Sequence, residues 1–121
     1  MEIFHGTTRT PLRHTPLEKV LGWLQQDMDY VRSSAVPQDG IGIIKAENNI
    51  DVFDMALIDG SAFTGRAELQ QVYGSHLIIL DDINDIKNYE NFQRLKGDSR
   101  YKLIVANRIL RNGYALFHRV A

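Results

Sequence analysis

Residues 56–82 read ALIDGSAFTGRAELQQVYGSHLIILDD, and the fold turns on how this stretch is parsed. One apolar run stops on Asp59, and a second stops on Asp81 and Asp82. Between them Ala67, Leu69, Val72 and Tyr73 recur at helical spacing, and Gly74 closes the segment. A strand, a short helix and a strand within about thirty residues make a βαβ unit, whose strands pair in parallel. The near-continuous apolar runs predict strands covered on both faces. Parallel neighbours lie about 4.8 Å apart, so their carboxyl ends would deliver Asp59, Asp81 and Asp82 to one crevice, where open α/β sheets place their ligands.

Residues 1–15 show no sustained period and read as an extended arm, with residues 16–121 as a single domain. TPLEKVLGWLQQDMDYVRSS predicts a helix over 16–33. Thr15 is the N-cap, Pro16 the first helical residue, and Glu18 completes a capping box. Leu17, Val20, Leu21, Leu24, Met28 and Val31 form its apolar stripe, with Trp23 beside it as a further core candidate. Gly22 costs about 1 kcal/mol against Ala inside a helix, which suggests close packing at that point. A short second helix begins near residue 38. KNYENFQRLKGD predicts another, with Tyr89, Phe92 and Leu95 at three-residue steps and a stop at Gly97. YKLIVANR and GYALFHRV are two strands joined too closely for a crossover helix, so as neighbours they pair antiparallel. The expected fold is α/β: a partial Rossmann-like sheet, mostly parallel, with a C-terminal antiparallel hairpin and helices packed on it.

At 121 residues the chain suits one core. Fourteen basic against fifteen acidic residues leave a net charge of -1, which argues against a nucleic-acid partner. Zero cysteines exclude a disulfide framework, a thiolate metal site and a cysteine nucleophile. No signal-like or membrane-length apolar stretch is present, and the expected setting is cytoplasmic.

Three clustered carboxylates repel one another, and a hard cation such as magnesium, a shared proton or nearby donors would relieve them. Beside that reading stands a purely local one, in which Asp59 and Asp82 cap the helices that follow or bond within their loops. Gly60 and Gly65 would supply unusual backbone angles, and Ser61 and Thr64 hydroxyl groups, with Thr64 near a helix start. Neither a P-loop nor a GxGxxG pattern occurs, and Ser61 lacks the surroundings of a nucleophile elbow. His5, His14, His76 and His118 lack the spacing of a helical zinc pair, and the last two read as surface residues at strand ends. Arg108, Arg111 and Arg119, with Arg9 and Arg13, read as a solvated rim rather than a binding patch.

FDMALIDGSAFTGRAELQQVYGSHLIILDDINDIKNYENFQRL followed by YKLIVANRILRNGYALFHR resembles the C-terminal half of class I S-adenosylmethionine-dependent methyltransferases over roughly residues 50–119. In metal-dependent members of that family, acidic or amide residues at these two strand ends hold a divalent cation that orients substrate hydroxyls. The resemblance gives that role to Asp59, Asp81 and Asp82, and implies a small hydroxylated substrate. The family's glycine-rich cofactor turn and its acid at the end of the second strand have no counterpart here. The chain therefore looks like a half-Rossmann module, whose alternative role is a non-catalytic interaction module. Such a half would leave the DMALID strand at an exposed edge, so a homo-oligomer formed through that edge or the N-terminal helix is expected.

Overall fold

The computed structural model describes residues 2–3, 15–33 and 40–121. Its elements are β1 (Glu2–Ile3), β2 (Thr15–Pro16), α1 (Leu17–Ser33), α2 (Gly40–Asn48), β3 (Met55–Ile58), α3 (Gly65–Val72), β4 (Leu77–Asp81), α4 (Tyr89–Lys96), β5 (Tyr101–Asn107) and β6 (Tyr114–Arg119). β1 and β2 pair antiparallel. The other strands form one sheet in the order β3-β4-β6-β5. β3 and β4 run parallel, from Met55 opposite Leu77 to Ile58 opposite Leu80. β5 and β6 form the expected hairpin, and β6 lies between β4 and β5, antiparallel to both. One parallel pair against two antiparallel pairs makes the sheet mixed, which corrects the expectation of a mostly parallel one. Burial explains the order: Ala115 and Phe117 suit β6 to an interior position, whereas β5 carries exposed Lys102 and a bulge between Leu103 and Val105, features of an edge.

Leu69 and Val72 of α3 and Phe92 and Leu95 of α4 bury one sheet face, meeting Ile58, Ile78, Leu80, Ala115 and Phe117. Phe92 and Phe117 meet edge to face with centroids 5.9 Å apart. On the opposite face no described element covers β3: Met55 is 60% and Leu57 59% exposed. Among the described residues, therefore, β3 is not covered on both faces as expected, and it is also an edge strand.

The N-terminal helix begins at Leu17, because Thr15 and Pro16 pair with Ile3 and Glu2 instead of capping it. Its stripe is not core. Only Val20 is buried, while Leu21, Leu24, Met28 and Val31 are exposed. Trp23 is half-buried beneath the Lys19 ammonium, 5.5 Å from the ring centroid. A methyl group at Gly22 would touch nothing within 4 Å, so the close packing suggested there is absent. Gly22→Ala should raise stability by about 0.5–1 kcal/mol in denaturant unfolding, since it removes only backbone entropy.

A polar lock joins the end of α3 to the outer strand. Gly74, at φ +95°, turns the chain toward β4 in a conformation that favours glycine. The Tyr101 hydroxyl accepts from the Gly74 amide at 2.9 Å and donates to the Ser75 carbonyl at 2.8 Å. Arg119 Nη1 donates to the Gly74 carbonyl at 2.7 Å, and the Tyr73 hydroxyl donates to the Asp98 carboxylate. That last bond, with the Arg100 amide, holds the Asp98 carboxyl below its ordinary value; the same bond, with burial, raises Tyr73. A lowered acid stabilises above the unfolded carboxylate range and loses this contribution as pH falls through the folded value. A raised phenol stabilises below pH 10 and loses it as pH rises further. Tyr73→Phe should therefore unfold more easily than wild type at pH 7, and the difference should shrink at both pH extremes in denaturant titrations.

Candidate functional site

The parallel pairing brings Asp59, one residue past β3, and Asp81, the last residue of β4, to the same end of the sheet. Side chains alternate along a strand, so Asp82 would face away from Asp81 if β4 continued. It does not: Asp82 adopts φ +55°, a left-handed turn that Asp tolerates better than most residues. Ligating oxygens of Asp59, Asp81 and Asp82 consequently lie within 4.8 Å of one another.

Lys87 completes the group. Its mostly buried ammonium donates to Asp59 Oδ1 at 2.5 Å and to Asp82 Oδ2 at 3.1 Å. Burial pulls the Lys87 amine down, but its two carboxylate partners outweigh burial and hold it above its ordinary value. The Lys87 bond holds Asp59 below the usual carboxylate range against its own burial. Asp81 has no bond to the ammonium and moves the other way, raised by burial first and then by the charges of Asp82 and Asp59. Three carboxylates face the Lys87 ammonium, and the Arg111 guanidinium adds a further positive charge that acts on Asp59, so the acids still outnumber the cations around them when all are ionised.

The rim is held from beneath by Asn88 and Asn91, both fully buried. Asn88 Nδ2 donates to the Ile58 carbonyl at 2.9 Å and to the Asp81 carbonyl at 2.6 Å, tying the ends of β3 and β4 together. Asn91 Nδ2 donates to Asn88 Oδ1 at 2.9 Å and to the Gly65 carbonyl at 2.8 Å. Gly65 is required by close approach: a Cβ there would collide with the Lys87 carbonyl oxygen. On the far side, the amides of Ile83 and Asn84 donate to the carbonyls of Gly113 and Asn112, lacing the loop after β4 to the β5–β6 tip.

Neither Asp59 nor Asp82 caps a helix; Thr64 and Asn88 occupy those N-cap positions, because the loops are too long for the acids to reach the helix starts. The loop bonding that formed the other half of the local reading does occur at Asp82, whose partner Lys87 lies in the same loop, while Asp59 reaches Lys87 from the neighbouring strand end. Thr64 stands at the α3 start as expected, yet its hydroxyl donates to Glu68 Oε1 at 2.7 Å rather than accepting from the backbone. Ser61 donates to the Asp27 carboxylate of α1 and accepts from the Phe63 amide at 3.1 Å. Left-handed glycine angles occur at Gly74 and Gly113, not at Gly60 or Gly65. Arg119 lies at the opposite end of the hairpin from Arg108 and Arg111, so these three form no common patch, while Arg9 and Arg13 lie outside the described residues. Exposed His76 and His118 are surface residues as expected, and His5 and His14 lie outside the described residues.

Sequence reasoning missed Lys87, Asn88 and Asn91. The signal was a cluster of polar residues at the start of the α4 segment, but only the tertiary fold gives it partners. No helix of the described residues is long and apolar enough to cross a membrane. Comparison with protein-family models, with curated proteins and with solved structures returns no match, so the reading of this rim rests on its geometry.

Proposed function

We propose that the chain is a methyltransferase-like, Rossmann-like α/β unit whose rim binds a divalent cation, such as magnesium, and through it a small hydroxylated molecule. The supporting observation is the convergence of Asp59, Asp81 and Asp82 within 4.8 Å at the carboxyl end of a parallel strand pair. The donor set is all oxygen, as hard cations prefer, and its carboxylates outnumber the Lys87 and Arg111 charges around them. Asp59, Asp81 and Asp82 would hold it, and Lys87 marks the position as one that already accepts positive charge. A bound cation would polarise and orient substrate hydroxyls. S-adenosylmethionine fits less well: β3 is the outermost strand, and the described residues supply no glycine-rich turn to cradle the methyl donor. No methyl-transfer step is derived for this chain.

Isothermal calorimetry tests the reading. Magnesium should release or absorb heat with the wild-type chain and give none with Asp81→Asn. A silent wild type at millimolar magnesium would overturn it. Parallel titrations with S-adenosylmethionine and its demethylated product, with and without magnesium, decide catalysis: silence in both removes the enzymatic reading for this chain alone.

A second reading, a homo-oligomeric interaction module, is favoured by the exposed Met55 and Leu57 of the edge strand.

A further inference from the structure

Of the chain's asparagines, only Asn112 stands directly before a glycine. Such a pair is chemically labile, because the amide nitrogen of the second residue attacks the asparagine Cγ and a glycine has no Cβ to hinder the approach. Structure decides whether the attack occurs. Asn112 is half-buried and Gly113 buried at the β5–β6 tip, where the chain around the reactive nitrogen is pinned at three points. The Gly113 amide donates to the Leu110 carbonyl at 2.8 Å, the Asn112 carbonyl accepts from the Asn84 amide at 2.9 Å, and the Gly113 carbonyl accepts from the Ile83 amide at 3.3 Å. Attack requires the Gly113 nitrogen to shed the proton that Leu110 holds. The glycine cannot be exchanged to remove the hazard: it sits at φ +81°, and a Cβ there would meet Ile83 Cγ1 at 2.8 Å, Asn84 Nδ2 at 3.0 Å and the Asn107 carbonyl oxygen at 3.1 Å. The fold therefore needs the residue that leaves Asn112 labile.

We propose that Asn112 is a site of spontaneous deamidation gated by the β5–β6 tip, and that its product prevents the tip from closing again. While the tip is laced to the loop after β4, the side chain persists. When it opens, the Gly113 nitrogen bonds to Asn112 Cγ and gives up its proton, and the side-chain nitrogen leaves as ammonia, which forms a cyclic imide. Water then adds to one of the two imide carbonyls and opens the ring to aspartate or isoaspartate. No oxidant or reductant is needed. Isoaspartate routes the main chain through the former side-chain carbon, which places one extra carbon in the backbone between Arg111 and Gly113. The three bonds at the tip share a single register, and the tight seat of Gly113 leaves no room to absorb the added length. Without those bonds the Ile83 and Asn84 amides lose their partners, so closing again is unfavourable and the opening becomes one-way. This holds whatever the acidic rim binds.

Wild type held in mildly alkaline buffer, with and without denaturing urea, and then peptide-mapped by mass spectrometry tests the gating. In urea Asn112 should convert before any other asparagine. In the folded chain its conversion should be slower by about tenfold or more, the factor that corresponds to about 1.4 kcal/mol of local opening. Isoaspartate-bearing chains, separated by chromatography and returned to native buffer, should unfold at a lower denaturant midpoint than wild type. Freshly prepared Asn112→Asp carries the new charge without the extra backbone carbon and should keep the wild-type midpoint. Equal conversion in folded and unfolded chains would overturn the gating, and no conversion at Asn112 in urea would overturn the site itself. An isoaspartate chain as stable as wild type, or an equal loss in Asn112→Asp, would overturn the one-way closure.

Discussion

Asn88→Ala should be among the most destabilising single substitutions in the chain, costing about 3–5 kcal/mol in denaturant unfolding. Asn88 is fully buried and makes three hydrogen bonds: two donated to the Ile58 and Asp81 carbonyls, and one accepted from Asn91. Truncation leaves two carbonyls and one amide hydrogen without partners, each worth about 1–3 kcal/mol when buried, and opens a small cavity besides. Set against the total stability of a small domain, about 5–15 kcal/mol, that is a large fraction. The same change should weaken magnesium binding. Asn88 positions the ends of β3 and β4, and Asp59 and Asp81 sit on or next to the carbonyls it holds. A variant that unfolds at the wild-type denaturant midpoint would show that the amide bridge contributes nothing.

Asp81→Asn should do two opposite things. It should abolish magnesium binding, because Asp81 is the carboxylate left without a bond to the Lys87 ammonium and so the one most in need of a cation. Without magnesium it should stabilise the fold by about 1 kcal/mol, the usual size of the gain when a repulsive functional group is neutralised. The direction follows from charge: burial and the charges of Asp82 and Asp59 raise Asp81, so its ionised form is disfavoured in the folded chain. A group raised in this way detracts from stability above the unfolded carboxylate range, and wild type should recover the difference as pH falls through the folded value. Thermal melts of both proteins across pH 4–8, with and without magnesium, check this. Magnesium should raise the wild-type Tm and leave Asp81→Asn unmoved. A magnesium response retained by the variant would move the cation away from this rim.

The parallel pair was legible because the code for it is local: apolar runs ending at Asp59 and Asp81, with one short helix between. The hairpin was legible from its short connection. The insertion of β6 between β4 and β5 was not, since it depends on which strand tolerates burial on both sides, a comparison between distant segments. Capping rules misplaced Asp59 and Asp82 because they describe what a residue can do for the next helix, and Lys87 competes for those carboxylates through space. Asn88 shows the reverse: it occupies an N-cap, where Asn is favoured, yet its side chain serves two strand ends. Periodicity drew the stripe on α1 correctly and assigned it to this chain's core, because a stripe records amphipathicity and not the identity of what it touches.

The placement of β6 also has a kinetic consequence during synthesis. β4 and β5 share no ladder of their own; each is completed only by residues 114–119. Until those residues leave the ribosome, the hydrogen-bonding edge of β4 stays unpaired and Ile78 and Leu80 lack the neighbouring strand that seals them. Such late, non-local pairing slows folding and exposes sticky intermediates, so the β3–β4 pair can form early but β5 joins it in one sheet only once β6 is available.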